Sequence, residues 1–258
     1  MRVTRRVSPA SHACMKHVLL FALLVVGCGK VEPDPIVHPS HAVCGTEPFM
    51  RLNVSTMQLR VDGTLDTTGV PGALLTVNGC GPADGSGSVF ATTDEKGEAV
   101  LDLAETIVAG QPMDPMVEAT GFLPTRGAFW PMVARSAFAA AILLDKDWST
   151  VLPRSSDKTT NVLVHIGAPL GSTSCHTTEG AEVSIDSAPS LAATYYAPSA
   201  SGALAPTRST TTTAAGWAVI ANVPRNRGTV FARWPSGCTL KAEAWFAPGV
   251  VTFVGLNG

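Results

Sequence analysis

Charge is scarce in this chain: 15% of its 258 residues are Asp, Glu, Lys or Arg, against 45% apolar. That balance excludes disorder along the whole length and supplies cores for one large or two ordinary domains. The Glu, Lys and Leu periodicities of a helical protein are missing. With 24 Gly and 19 Pro set among stretches rich in Thr, Ser, Ala and Val, the composition points to many short strands joined by turns, an all-β fold. Clusters of Lys or Arg are absent as well. Arg2, Arg5, Arg6 and Lys16 are the only charged residues before Cys28, so the remainder carries 14 basic and 20 acidic side chains, a balance of −6. Nothing in it forms a footprint for a phosphate backbone, and nucleic acid is not expected as a partner.

The usual catalytic signatures are missing too. There is no Gly-x-Ser-x-Gly elbow, no phosphate-cradling glycine loop, no His-Glu-x-x-His and no Cys-x-x-Cys, and Asp84 to Ser88 lacks the ligand alternation of an EF-hand. Ser155-Ser156-Asp157-Lys158 fits a Ser-x-x-Lys spacing, but neither companion motif accompanies it. His165 reads as a strand residue and His176 as a loop residue. His38, His41 and Cys44 have ligand-like spacing, yet they sit beside Pro33, Pro35 and Pro39 in what reads as an extended tether. The expectation is a non-enzyme with no cofactor and no resident metal.

The apolar run Val18–Val26 falls short of the roughly 20 residues that a hydrocarbon core requires. Preceded by Lys16 and His17, it has the form of a cleavable signal segment, with Met1 or Met15 as the start. Leu24-Val25-Val26-Gly27-Cys28 resembles the lipobox of bacterial lipoproteins, with the aliphatic residue Val25 three before the cysteine and the small Gly27 just before it. The resemblance implies cleavage after residue 27, lipid attachment at Cys28 and a membrane-anchored envelope protein. Gly29 stands where an Asp would signal inner-membrane retention, which favours the outer membrane.

After Cys14 and Cys28 are set aside, four cysteines remain, Cys44, Cys80, Cys175 and Cys238. An even number in an oxidising compartment points to two disulfides with three possible connectivities. Joining Cys44 to Cys80 and Cys175 to Cys238 closes loops worth about 4 kcal/mol each in the chain-entropy picture and needs no link between halves. That pairing is the expectation.

Residues 28–49 read as the flexible tether. Beyond them, Met57–Val61, Ala73–Val77, Val89–Thr93, Ala99–Leu103 and Met116–Thr120 are short apolar or β-branched segments between turn residues. Gly69-Val70-Pro71-Gly72-Ala73, then Thr93-Asp94-Glu95-Lys96-Gly97, then Gly121-Phe122-Leu123-Pro124 resemble the carboxypeptidase regulatory-like domain, a transthyretin-like sandwich. Asp94 and Gly97 suit a tight turn, because Asp bonds the local backbone and Gly tolerates positive φ.

A looser second copy follows, with Asn161–Ile166, Gly180–Ile185 and the stretch around Gly216 and Trp217 repeating the same cues. Tyr195 to Pro206 is expected as a long inserted hairpin loop. Duplication predicts two tandem antiparallel β-sandwiches, residues 50–153 and 160–258, with a linker between them. Phe138–Leu144, continued through Leu152, is expected to form a connecting helix. The resemblance implies a structural or protein-interaction module of the envelope, bound to the membrane by its lipid and to an envelope or extracellular protein. The alternative is carbohydrate binding, for which Tyr195, Tyr196 and Trp217 are the candidate surface; the preferred reading of Trp217, Trp234 and Trp245 is as core or hairpin-packing residues.

Overall fold

A computed structural model of the chain describes residues 38–78, 87–104, 115–127, 136–167, 175 and 177–256. The signal segment with Cys28, and also Cys80 and His176, lie outside them. The fold is all-β, as the composition requires: the described residues form eighteen strands, labelled β1 to β18, and one short helix, α1 (Trp148–Val151).

Three sheets contain these strands. The first holds β1 (His41–Cys44), β6 (Glu98–Ala104), β2 (Phe49–Leu59), β10 (Ser136–Asp145) and β8 (Phe122–Leu123) in that order, with β3 (Leu65–Asp66) on β2. The second has nine strands. It begins with β14 (Leu204–Pro206), β13 (Ala193–Pro198), β15 (Trp217–Pro224), β11 (Thr159–Ile166) and β18 (Val251–Leu256), and continues through β9 (Thr125–Gly127), β7 (Met116–Glu118), β4 (Leu74–Asn78) and β5 (Ser88–Thr92). The third is β12 (Glu182–Ile185), β16 (Asn226–Arg233) and β17 (Thr239–Phe246).

One plan is used twice. In the first half β2 pairs antiparallel with β6 and parallel with β10, while β4 pairs with β7 and β7 with β9. In the second half β11 pairs antiparallel with β15 and parallel with β18, while β12 pairs with β16 and β16 with β17. Each copy has its own core, one around Leu75, Leu101 and Leu103, the other around Val164, Ile185, Ile220 and Phe246.

The same buried lock closes both copies. Thr93 accepts the Ala73 N–H on Oγ1 and donates that hydroxyl to the Val70 carbonyl, at 2.8 and 2.7 Å. Thr212 does the same with Ala181 and Thr178, at 2.9 and 2.7 Å. Gly97 and Gly216 then turn the chain at φ +76° and +69°. A Cβ on Gly97 would meet the backbone of Gly69 and Val70, and one on Gly216 would lie 2.6 Å from the Ile166 carbonyl, so only glycine fits at either turn.

The copies are not strung on a loose linker. The second sheet is continuous between them, because β18 pairs in parallel with β9 through Val251–Thr125, Thr252–Arg126 and Phe253–Gly127. A third apolar cluster fills the seam: Leu59, Ile142, Leu144 and Trp148 pack on Leu163, Tyr196, Leu204, Trp217 and Val219. Trp148 is fully buried there and donates its indole N–H to the Leu59 carbonyl at 2.8 Å. Parallel pairings, unlike anything a string of hairpins provides, occur at β1–β6, β2–β10, β11–β18 and β9–β18.

Two expectations are corrected. Residues 136–145 are a strand and not a helix, with β10 in register against β2 from Ser136 to Leu144. Ala141 to Leu144 are all buried, and a short apolar run covered on both faces serves a central strand as well as a helix. Among the described residues helix is confined to α1. The tether also ends earlier than residue 49, because His41–Cys44 already pairs with β6 and buries Ala42 and Cys44.

Candidate functional site

The aromatic residues expected to form a ligand surface are inside the protein. Tyr195 is buried in the second core, where its hydroxyl accepts the Val183 N–H at 3.0 Å. Tyr196 and Trp217 lie in the seam, Tyr196 donating its hydroxyl to the Val151 carbonyl and Trp217 stacking on His165 at 4.2 Å. Burial raises both tyrosines' pKa values. The Tyr195 to Pro206 insertion is a paired hairpin, β13 with β14, which lays these rings against neighbouring strands. They form no exposed platform. Trp234 packs in the second core with its indole N–H on the Glu179 carbonyl, whereas Trp245 is 37% exposed, contrary to its reading as a packing residue.

The metal-like spacing is likewise dispersed. His38 stacks on Phe90, His41 lies 2.7 Å from Asp102, and Cys44 is half of a disulfide whose partner is outside the described residues, as is the expected partner Cys80. Asp102 also takes two bonds from the Arg51 guanidinium, which together with His41 holds its carboxyl below the ordinary range. Among the described residues, no group of three or more His, Cys, Asp or Glu is placed to hold a metal ion. Ser156 is used in a local turn with Thr159. Cys175 and Cys238 form a disulfide with Cα atoms 5.5 Å apart, the pairing expected from the sequence.

A surface that sequence reading missed lies on the third sheet. Strand alternation sends Val183, Ile185, Val230, Ala232, Ala242 and Ala244 into the core and leaves Asp186, Arg227, Thr229, Phe231, Arg233, Glu243 and Trp245 on the other face. Register places Thr229 opposite Glu243 and Arg227 opposite Trp245, while the Thr229 N–H, at 2.7 Å, brings Asp186 alongside. The Arg233 guanidinium lies 4.1 Å over the Phe231 ring.

At one end of this face is a cleft of about 380 Å³ lined by Asp186, Ser187, Arg227, Gly228, Thr229 and Glu243. Arg227 pairs with Glu243, and the bond from the Thr229 N–H lowers the Asp186 pKa from its usual value. A Cβ at Gly228 would point inward to within 2.2 Å of Ser187 Oγ, so any larger residue there would force the serine aside. That oxygen is buried and has no hydrogen-bond partner in the protein. The alternation of outward polar residues in Asn226–Arg233 and Thr239–Phe246 was the available signal, but only strand register brings the three charges together.

No known protein family matches the sequence, and no characterised protein matches it. Among solved structures the chain is similar to the shaft pilin SpaA from Lactobacillus rhamnosus GG, with 13% identity, TM-score 0.24, and coverage of 81% of this chain and 97% of that one. It is similar to a minor pilin of Streptococcus agalactiae at 10% identity and TM-score 0.22, over 80% and 95% of the two chains. Catechol 1,2-dioxygenase from Acinetobacter sp. ADP1 is matched at 9% identity and TM-score 0.25, over 42% of this chain and 59% of that one. At these scores the likenesses carry no inference about kinship or activity.

Proposed function

We propose that the chain is a non-catalytic envelope lipoprotein, a duplicated β-sandwich held at the membrane by a lipid on Cys28, with the outer membrane favoured, that serves as a structural or protein-interaction module. The observation that carries the reading is how the polar and aromatic residues are spent. Thr93 and Thr212 lock the two loops, and Tyr195, Tyr196, Trp217 and His165 close a core and a seam. The same side-chain types that would serve chemistry here hold a frame. The Cys175–Cys238 disulfide supports an oxidising compartment, in keeping with the signal-like segment before Cys28. The lipobox-like and carboxypeptidase regulatory-like motifs support anchoring and a sandwich module respectively.

The test is Cys28→Ser, followed by detergent partitioning and mass spectrometry of the chain. Loss of acyl mass and release from the membrane fraction are expected; unchanged partitioning with no loss of mass overturns the anchor.

A further inference from the structure

We propose that the cleft at the end of the third sheet is a binding site for a neutral saccharide. Its donors and acceptors are mixed and close together. Asp186 Oδ1 accepts the Thr229 N–H, and the carboxylate's four lone-pair directions leave capacity for a ligand hydroxyl. Glu243 Oε2 is taken by Arg227 Nη2, which leaves Oε1 as a second acceptor and the other guanidinium N–H groups as donors. Ser187 Oγ is buried against Gly228 and is not among these donors and acceptors.

Charge then selects among ligands. A bare cation would sit against the Arg227 guanidinium, and an anion would meet the Asp186 and Glu243 carboxylates. Hydroxyl groups meet neither penalty, because each can donate to a carboxylate and accept from a guanidinium, and bonds to ionised partners are roughly twice as strong as neutral ones. The exposed indole of Trp245, directly across the strand pair from Arg227, supplies an apolar face beside the cleft on which a sugar ring can lie. About 380 Å³ is within the range of small-ligand sites.

This site is distinct from the buried tyrosines, and it does not depend on the anchor. Cys28→Ser is expected to leave binding unchanged, so the two readings fail separately.

The experiment is amide NMR titration of the full chain with maltose, cellobiose and N,N′-diacetylchitobiose as neutral probes, with ethanolamine and inorganic phosphate as charged ones. At least one disaccharide is expected to shift the Arg227 and Thr229 amides saturably. Asp186→Asn, which keeps the acceptor for Thr229, and Glu243→Gln should each weaken that binding by about tenfold. Shifts produced by ethanolamine or phosphate and not by a disaccharide, no shift by any probe, or undiminished disaccharide binding in both variants overturns the proposal.

Discussion

Thr93 and Thr212 hold the same place in the two halves of the chain: each clamps a glycine–alanine turn by accepting an amide and donating to a carbonyl with one hydroxyl. Both are buried, so the hydroxyl has no water to fall back on. Thr93→Val and Thr212→Val keep the shape, delete the hydroxyl and strand one amide and one carbonyl. Each should cost about 1–3 kcal/mol in denaturant unfolding, with Ser at either position retaining most of the stability. A neutral Val variant at both positions would show that the repeated lock contributes nothing.

The seam makes a related but separate prediction. Trp148→Ala removes a fully buried ring and its bond to Leu59, and should destabilise the chain by about 3–5 kcal/mol. A fragment of residues 160–258 should bind a hydrophobic dye, because Leu163, Tyr196, Trp217 and Val219 lose their cover. A dye-silent fragment with the full chain's thermal midpoint would mean that the copies are thermodynamically separate.

His165 gives the seam a pH dependence. Burial against Trp217 depresses its pKa below 6.5, so the unfolded chain takes up a proton at a pH where the folded chain does not. Stability is therefore complete above about pH 6.5 and falls as the pH drops from there toward the depressed folded value, below which the effect levels off. His165→Phe preserves the ring contact and should flatten this part of the profile. Urea midpoints measured at steps from pH 7.5 to about 5 would reveal it, and an identical slope in the variant would assign the dependence elsewhere.

The Cys175–Cys238 bridge spans 63 residues of the second copy. Opening that loop should cost about 4 kcal/mol in the chain-entropy picture. Cys175→Ser and Cys238→Ser should lower the thermal midpoint equally and remove its sensitivity to reductant at this bond. Peptide mapping without reduction reads the connectivity directly, and a Cys175 peptide joined to Cys44 or Cys80 would contradict the structure.

The duplicated plan was legible because its punctuation is chemical. Gly72 and Gly97 recur as Gly180 and Gly216 at turns of positive φ, and such turns leave a mark in sequence wherever they occur. What joins the copies was not. Parallel pairing of β18 with β9 depends on residues more than a hundred positions apart and leaves no local pattern. The Ala-rich run before Asp145 was ambiguous between helix and strand, because burial on both faces erases periodicity. Tyr195 and Tyr196 were misplaced for a related reason: adjacent strand residues face opposite ways, and here one side is a core and the other a seam, so neither meets solvent. The cleft was invisible because Asp186, Arg227 and Glu243 come from three separate segments and meet only through register.

The stitch between β18 and β9 also governs the order in which the protein can be assembled. A polypeptide made from its amino terminus presents β9 early, yet the neighbour of β9 in the shared sheet is the last described strand. Until Val251 to Phe253 arrive, the first copy waits with an unpaired strand edge, the kind of surface on which chains aggregate. Holding factors, or the speed of synthesis itself, would therefore bear on yield most strongly in that interval. A truncation lacking β18 should accumulate as aggregate even though every residue of the first copy is intact.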